Sequence, residues 1–226
     1  MCDAAISKPA STPQEWPGLK SRGYHFKLAE APDEIDQIQC LVYRTFVKEI
    51  PQHPDPGGGR LIDKFHHKNR YLVAEREGQI CGMVAVHDRP PFSVADAIPT
   101  PGVLEELVPR LLEVRLLAVE TELRHRWLFG GLLWGVYDYA LQLGFQYLAI
   151  SGLRERQGMY ERMGFRPLGD PVPRGQVYFV PMLLKLSDLG QRARKTRDGL
   201  ARTIQLEGES LTCPTVKVAP RSRSGK

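Results

Sequence analysis

Apolar positions along the chain follow two rhythms, one of period two and one of period 3.6. Residues 23–28 (GYHFKL) alternate as a half-buried strand does. Beyond Ala31-Pro32-Asp33, a helix start, Ile35, Ile38, Leu41, Val42, Thr45 and Phe46 recur at helical spacing until Pro51 closes the run. Residues 71–76 (YLVAER) and 80–87 (ICGMVAVH) flank Glu77-Gly78-Gln79 and predict an antiparallel hairpin with largely buried faces. A short helix is expected within 103–108 and a long apolar strand at 111–119 (LLEVRLLAV). A helix over about 128–143 carries Leu128, Leu132, Trp134, Val136, Tyr139 and Leu143, and Gly144 stops it. Residues 145–151 (FQYLAIS) read as a strand and 154–163 as a short helix ended by Gly164. Residues 177–186 form a last strand in which Pro181 marks a bulge or an edge. The order β, α, β, β, β, α, β, α, β predicts an α/β (layered α+β) fold, a sheet with helices packed on it.

Irregular stretches separate these runs. Residues 1–21 are rich in Pro, Ser and Ala and read as a loose, disordered leader. The stretch 51–60 (PQHPDPGGGR) predicts a mobile loop, either a substrate-side flap or a plain linker, because it lacks the Gly-Lys-Ser/Thr of a phosphate-binding P-loop. Residues 90–101 are a second irregular stretch. One folded domain is therefore expected over 22–189, with a tail at 190–226. Charge sharpens this division: the tail holds nine Lys/Arg against three Asp/Glu, more than the +5 of the whole chain, so the domain is about neutral. The basic character belongs to a tail whose composition predicts disorder outside the fold, and a nucleic-acid partner is not expected. No apolar run is long enough to cross a bilayer and the N-terminus is polar, so no transmembrane segment and a cytoplasmic location are expected. The four cysteines, Cys2, Cys40, Cys81 and Cys213, form no C-x-x-C pair, which argues against a zinc knuckle or a disulfide framework.

Two short strings carry a family likeness. Leu117-Ala118-Val119-Glu120-Thr121-Glu122-Leu123-Arg124 leaves the long apolar strand, and Met159-Tyr160-Glu161-Arg162-Met163-Gly164-Phe165 follows a strand ending at Ser151. In this order and spacing the chain resembles the GNAT superfamily of acyltransferases over about 71–186. The resemblance implies a mixed, mostly antiparallel central sheet with helices on both faces. Arg44-Thr45-Phe46, and Asp63-Lys64-Phe65 ahead of Tyr71-Leu72-Val73, are similar to the acyl-homoserine-lactone synthases and N-acyl amino acid synthases, a branch that uses long acyl chains. This chain has no tryptophan between those elements and has His66 in place of a second aspartate, departures that speak against S-adenosylmethionine as acceptor. Leu168-Gly169 and Pro181-Met182-Leu183-Leu184 look more like the N-acyl amino acid synthases.

The resemblance implies N-acyl transfer from a thioester, on coenzyme A or an acyl-carrier protein, to the amine of a small molecule or amino acid. It implies no permanently bound cofactor, with acyl-CoA or acyl-phosphopantetheine as co-substrate. Tyr160 is then the acid for the leaving thiolate. Backbone N–H groups of Leu117, Ala118 and Val119 bind the thioester carbonyl and pantetheine arm. Arg124, His125, Arg126, Trp127, Leu128, Phe129, Gly130 and Ser151 complete the donor site, and Arg44, Phe46, Asp63 and Phe65 the substrate side. Glu113 is the base candidate, although alternation places it on the same strand face as Arg115 and a plain ion pair is an equal reading. His66, His67 and His87 are alternative bases. Asp63, His66 and His67 are too crowded in sequence for a familiar metal spacing, and no metal is expected. Trp127 and Phe129 occupy positions where the family's pyrophosphate loop has glycines, so carrier protein is expected over coenzyme A, with the aromatics walling off the adenosine site; Gly130 and Gly131 restore room only if the register shifts. The same departure motivates the alternative of an inactive GNAT-like binding or regulatory module.

Overall fold

Two tight turns start the sheet. Ser21 faces Tyr24 across Arg22-Gly23, and Arg76 faces Gln79 across Glu77-Gly78. All four turn residues have positive φ (50°, 76°, 53° and 79°), the geometry whose twist matches the strands it joins. The first turn connects β1 (Leu19–Ser21) to β2 (Tyr24–Leu28), the second β3 (Arg70–Arg76) to β4 (Gln79–His87). This computed structural model describes residues 18–99, 102–124, 126–175 and 177–189. The tail expected at 190–226 and most of the leader expected at 1–21 lie outside the described residues. The last three leader positions do not: Leu19–Ser21 fold back along β2 as β1, so the domain begins earlier than the expected residue 22.

Pro32 opens α1 (Pro32–Tyr43), and the Glu34 carboxylate accepts the N–H groups of Glu30 (2.8 Å) and Ala31 (3.0 Å) that the helix leaves unmet. The helix runs on into a wider π-helical turn, Arg44–Glu49. Next come β5 (Leu111–Val119), α2 (Arg126–Gln142), β6 (Tyr147–Leu153), α3 (Gln157–Arg162), β7 (Arg166–Pro167), β8 (Val172–Arg174) and β9 (Val177–Lys185). Among the described residues one sheet has the order β1-β2-β3-β4-β5-β6-β9-β7, with β8 also on β9, and only β5–β6 is parallel. This is the mixed, mostly antiparallel sheet that the resemblance implies. Pro181 is not on an edge, since it faces Ser151 of β6. It sits where the other side of β9 changes partner from β8 to β7, a break in the ladder at which no N–H is needed.

Helices cover both faces. On one, α1 buries Ile38, Leu41 and Val42 against Tyr71, Val73, Met83 and Ala85. On the other, α2 buries Leu128, Leu132, Val136 and Tyr139 against Phe26, Leu72, Val84 and Val86. Each such fully buried side chain contributes about 1.5–3 kcal/mol of transfer free energy. Gly144, at φ 77°, ends α2 as expected: its N–H goes to Leu141 C=O (3.1 Å) and that of Phe145 to Ala140 C=O (2.9 Å). The irregular stretch before β5 is packed, with Phe92, Val94 and Leu104 buried on Leu111 and Ala149. The helix expected within 103–108 is a single 3₁₀ turn, Glu105–Leu107. No helix among the described residues is long and apolar enough to cross a membrane.

Candidate active site

The site begins where the sheet comes apart. β5 and β6 pair from Leu111↔Tyr147 to Glu113↔Ala149, and the parallel pairing ends there. Beside this point the β4–β5 register slips, so that Leu116 and Leu117 together oppose Val84. Such a bulge bends its strand. Leu116 takes φ 52°, a left-handed conformation that costs a non-glycine residue about 1–2 kcal/mol. The extra residue puts two consecutive side chains on the α1 side: Arg115 reaches Asp63, and Leu116 packs on the α1 cluster, while Leu117 joins the α2 cluster.

The split opens into a cavity of about 790 Å³ that touches both sides of the sheet. Its polar walls come from the α1 side, with Thr45, Gln52, His53, Asp63, Lys64, Ser93, Arg115 and Arg174. Its α2 side is mostly apolar, with Phe129, Leu133, Trp134, Val136, Met159 and Met163. The glycine-rich stretch 51–60 helps form the polar wall and is tied down. Asp55 accepts from Tyr43 Oη (2.9 Å), Lys48 Nζ (2.6 Å) and Gly57 N–H (2.9 Å), and the lysine holds its carboxyl down at about 2.

From the polar wall a chain of contacts runs inward through Asp63, Arg115 and Ser93 to Glu113. Arg115 makes a bidentate pair with Asp63 (2.7 and 3.1 Å) and donates from Nε to Ser93 Oγ (2.9 Å). Ser93 Oγ in turn donates to Glu113 Oε1 (2.7 Å), which also accepts the Val94 N–H (2.7 Å); Oε2 accepts the Ser93 N–H (2.9 Å). His87 Nε2 lies 2.8 Å from Glu113 Oε2 but is not aimed along a hydrogen bond, so the contact is a close approach only. Burial alone would raise the Glu113 carboxyl; His87 and the Ser93 hydroxyl and amide outweigh it and hold the group below its ordinary range. Asp63 shows the same balance, burial opposed by Arg115. Glu113 and Arg115 thus share a strand face without pairing, because Ser93 stands between them. Glu113 is fully buried and is not on the cavity wall.

On the other side Tyr160, from α3, lies over β6. A Cβ at Gly152 would stand 2.7 Å from Tyr160 Cε2, so the glycine makes room for the ring. Burial raises the phenol above its ordinary range, against smaller opposing effects of Arg156 and the Leu153 backbone, and Tyr160 faces the cavity as a proton-holding group.

The family model of the N-acyl amino acid synthase FeeM matches residues 37–187, which span the split strands and every residue that lines this cavity. The chain belongs to that family. It is an N-acyltransferase of the GNAT-like branch. Its fold is similar to that of a CoA-dependent acyl-homoserine lactone synthase, BjaI, solved with MTA (18% identity, TM-score 0.66, covering 82% of this chain and 92% of that one). FeeM from uncultured soil microbes (20%, 0.56, 75% and 93%) and the AHL synthase LasI (16%, 0.60, 74% and 91%) are also similar. No curated protein sequence matches significantly.

Within this family member the residues expected from sequence separate into several groups. Phe46, Asp63, Leu117, Phe129, Gly130, Ser151 and Tyr160 line the cavity. Ala118 and Leu128 are core residues, Ala118 on the α1 side and Leu128 on the α2 side. The Val119 C=O accepts Arg124 Nε (3.0 Å), and Arg124 also pairs with Glu49. Arg44 is half-exposed, pairs with Glu120 and is not among the residues that line the cavity. Phe65 supports the site from behind, under Lys68 (4.0 Å) and Arg115 (4.6 Å). The Trp127 ring packs edge-on against Tyr24 (centroids 4.8 Å apart) with Arg22 5.6 Å away, and Trp127 is not among the residues that line the cavity. Gly131 is taken by packing too, since a Cβ there would overlap the Phe26 ring. His125 and the Arg126 side chain lie outside the described residues. His66 bonds Tyr71 Oη through Nδ1 (2.9 Å) and His67 is exposed. Sequence reasoning missed Thr45 as a wall residue, His53 and Ser93; the last two stand in stretches without periodicity, where no spacing points to them.

Proposed function

We propose that the chain transfers an acyl group from a pantetheine thioester, borne by coenzyme A or an acyl-carrier protein, to the amine of a small molecule or amino acid. One observation carries this reading: the cavity is polar on the α1 side and apolar on the α2 side, and the halves meet at the β5–β6 split. The acyl chain belongs in the apolar half, where each buried methylene contributes about 0.8 kcal/mol. The acceptor belongs in the polar half. The thioester then lies in the split, where N–H groups of β5 left without a β6 partner are donors for the developing oxyanion. A structure of BjaI with SAM and isopentyl-CoA supports an acyl thioester in a fold of this kind.

In the reaction the amine nitrogen attacks the thioester carbon, a C–N bond forms and the C–S bond breaks. Tyr160, whose raised pKa keeps its proton, protonates the leaving thiolate and is reprotonated from solvent. The amine proton goes to His53, the one histidine on the cavity wall among the described residues. Burial lowers its imidazole below the ordinary value, so it is neutral and basic near neutral pH. The test is mass spectrometry of lipid extracts from an expressing host, followed by assay of the purified chain with both donor types. A new N-acylated product is expected, and Tyr160→Phe should lower its turnover by roughly tenfold or more with little change in melting temperature. Full turnover in Tyr160→Phe removes that residue as the acid; no N-acyl product from either donor overturns the reading.

A further inference from the structure

The polar half of the cavity contains a group that the reaction outlined above leaves unused. Thr45, second residue of the π-helical turn, is 4% exposed and lines the cavity, yet its hydroxyl has no hydrogen-bond partner among the described residues. A helical threonine ordinarily turns its hydroxyl onto the carbonyl three or four residues back. Thr45 makes no such bond to Leu41 or Val42, nor to any other group among the described residues. From Thr45 the helix widens, so that its own C=O is met by the Ile50 N–H five residues on (2.9 Å). Turns of this kind concentrate at functional sites. A buried hydroxyl without a partner loses its hydration and gains nothing in return, unless a bound molecule meets it. The wall that Thr45 lines also includes Phe46, His53 and Asp63, on the side assigned above to the acceptor.

We infer that Thr45 positions the acceptor: its hydroxyl hydrogen-bonds a polar atom of the acceptor molecule near the reacting amine, and so selects acceptors that carry such an atom over plain alkylamines. This rests on the function proposed above. Ser151 is a second unpartnered hydroxyl on the cavity wall, but it stands on β6 beside the split and belongs to the thioester end.

Thr45→Val keeps the shape and removes the hydroxyl, and Thr45→Ser keeps the hydroxyl. Each is assayed on the full chain with a long-chain acyl-coenzyme A and the matching acyl-carrier protein, against a mixture of the standard amino acids and against hexylamine. Thr45→Val should raise KM for the acylated amino acid about tenfold, leave kcat and the donor KM within about twofold, and narrow the preference over hexylamine; Thr45→Ser should restore it. Because the hydroxyl has no partner among the described residues, Thr45→Val should also melt no lower than wild type. An unchanged acceptor KM overturns the inference, and so does a melting temperature several degrees lower, which would mean that the hydroxyl is already satisfied within the fold. If wild type acylates no amine at all, the proposed function fails, and the melting comparison still decides for or against an unpartnered Thr45.

Discussion

Replacing Glu113 with Gln keeps the side chain's shape and removes its charge, which distinguishes a buried anchor from a base acting directly on the substrate. The carboxylate accepts the Ser93 N–H (2.9 Å), the Ser93 hydroxyl (2.7 Å) and the Val94 N–H (2.7 Å). Hydrogen bonds to a charged group are worth about 1.5–3 kcal/mol and neutral ones about 0.5–1.5, so neutralisation forfeits about 1 kcal/mol per bond, or about 3 in all. The amide NH₂ must also confront at least one of those donors, which adds about 1–3 kcal/mol. A loss of about 4–6 kcal/mol is a large share of the 5–15 typical of a domain. Urea unfolding of the purified chain at neutral pH measures it. The pH dependence follows from the lowered folded pKa. An unfolded Glu titrates at about 4.3, so the stability from ionised Glu113 is present in full above that pH and is lost as pH falls through the lower folded value. The gap between wild type and Glu113→Gln should therefore be constant from neutral pH down to about 4.3 and close only below it. A variant destabilised by less than about 1 kcal/mol, with turnover abolished, would refute the anchor reading and return Glu113 to the role of base.

Two further outcomes follow from the same geometry. Gly152→Ala sets a Cβ 2.7 Å from Tyr160 Cε2; the ring must move, and turnover should fall by about tenfold while the donor still binds, whereas wild-type turnover would detach Tyr160 from the chemistry. His53→Gln should lower kcat and flatten the acidic limb of the pH–rate profile, which in the wild type should lie below the ordinary histidine pKa because burial lowers that of His53; an unaltered limb would assign it to another group.

Strands and helices that show a clean local rhythm were legible in the sequence. β5 over Leu111–Val119, the β3–β4 hairpin and the Gly144 end of α2 lie where the pattern puts them, because side-chain period and turn chemistry act over a few residues. Tyr160, second in its short string, and Phe46 and Asp63, ahead of β3, were singled out through the family's spacing, and all three line the cavity. Tertiary structure alone decided the rest. Alternation put Glu113 and Arg115 on one face, but their separation depends on Ser93, twenty residues away in sequence from Glu113. The placement of Ser93 depends on Phe92 and Val94 packing against Leu111 and Ala149. Trp127, expected in a loop, stands in the first turn of α2, and its ring packs on Tyr24 of β2. The cavity exists because β5 bulges at Leu116 while β6 stays with β9. These outcomes depend on which distant surfaces compete for the same side chain, and no local periodicity encodes that competition.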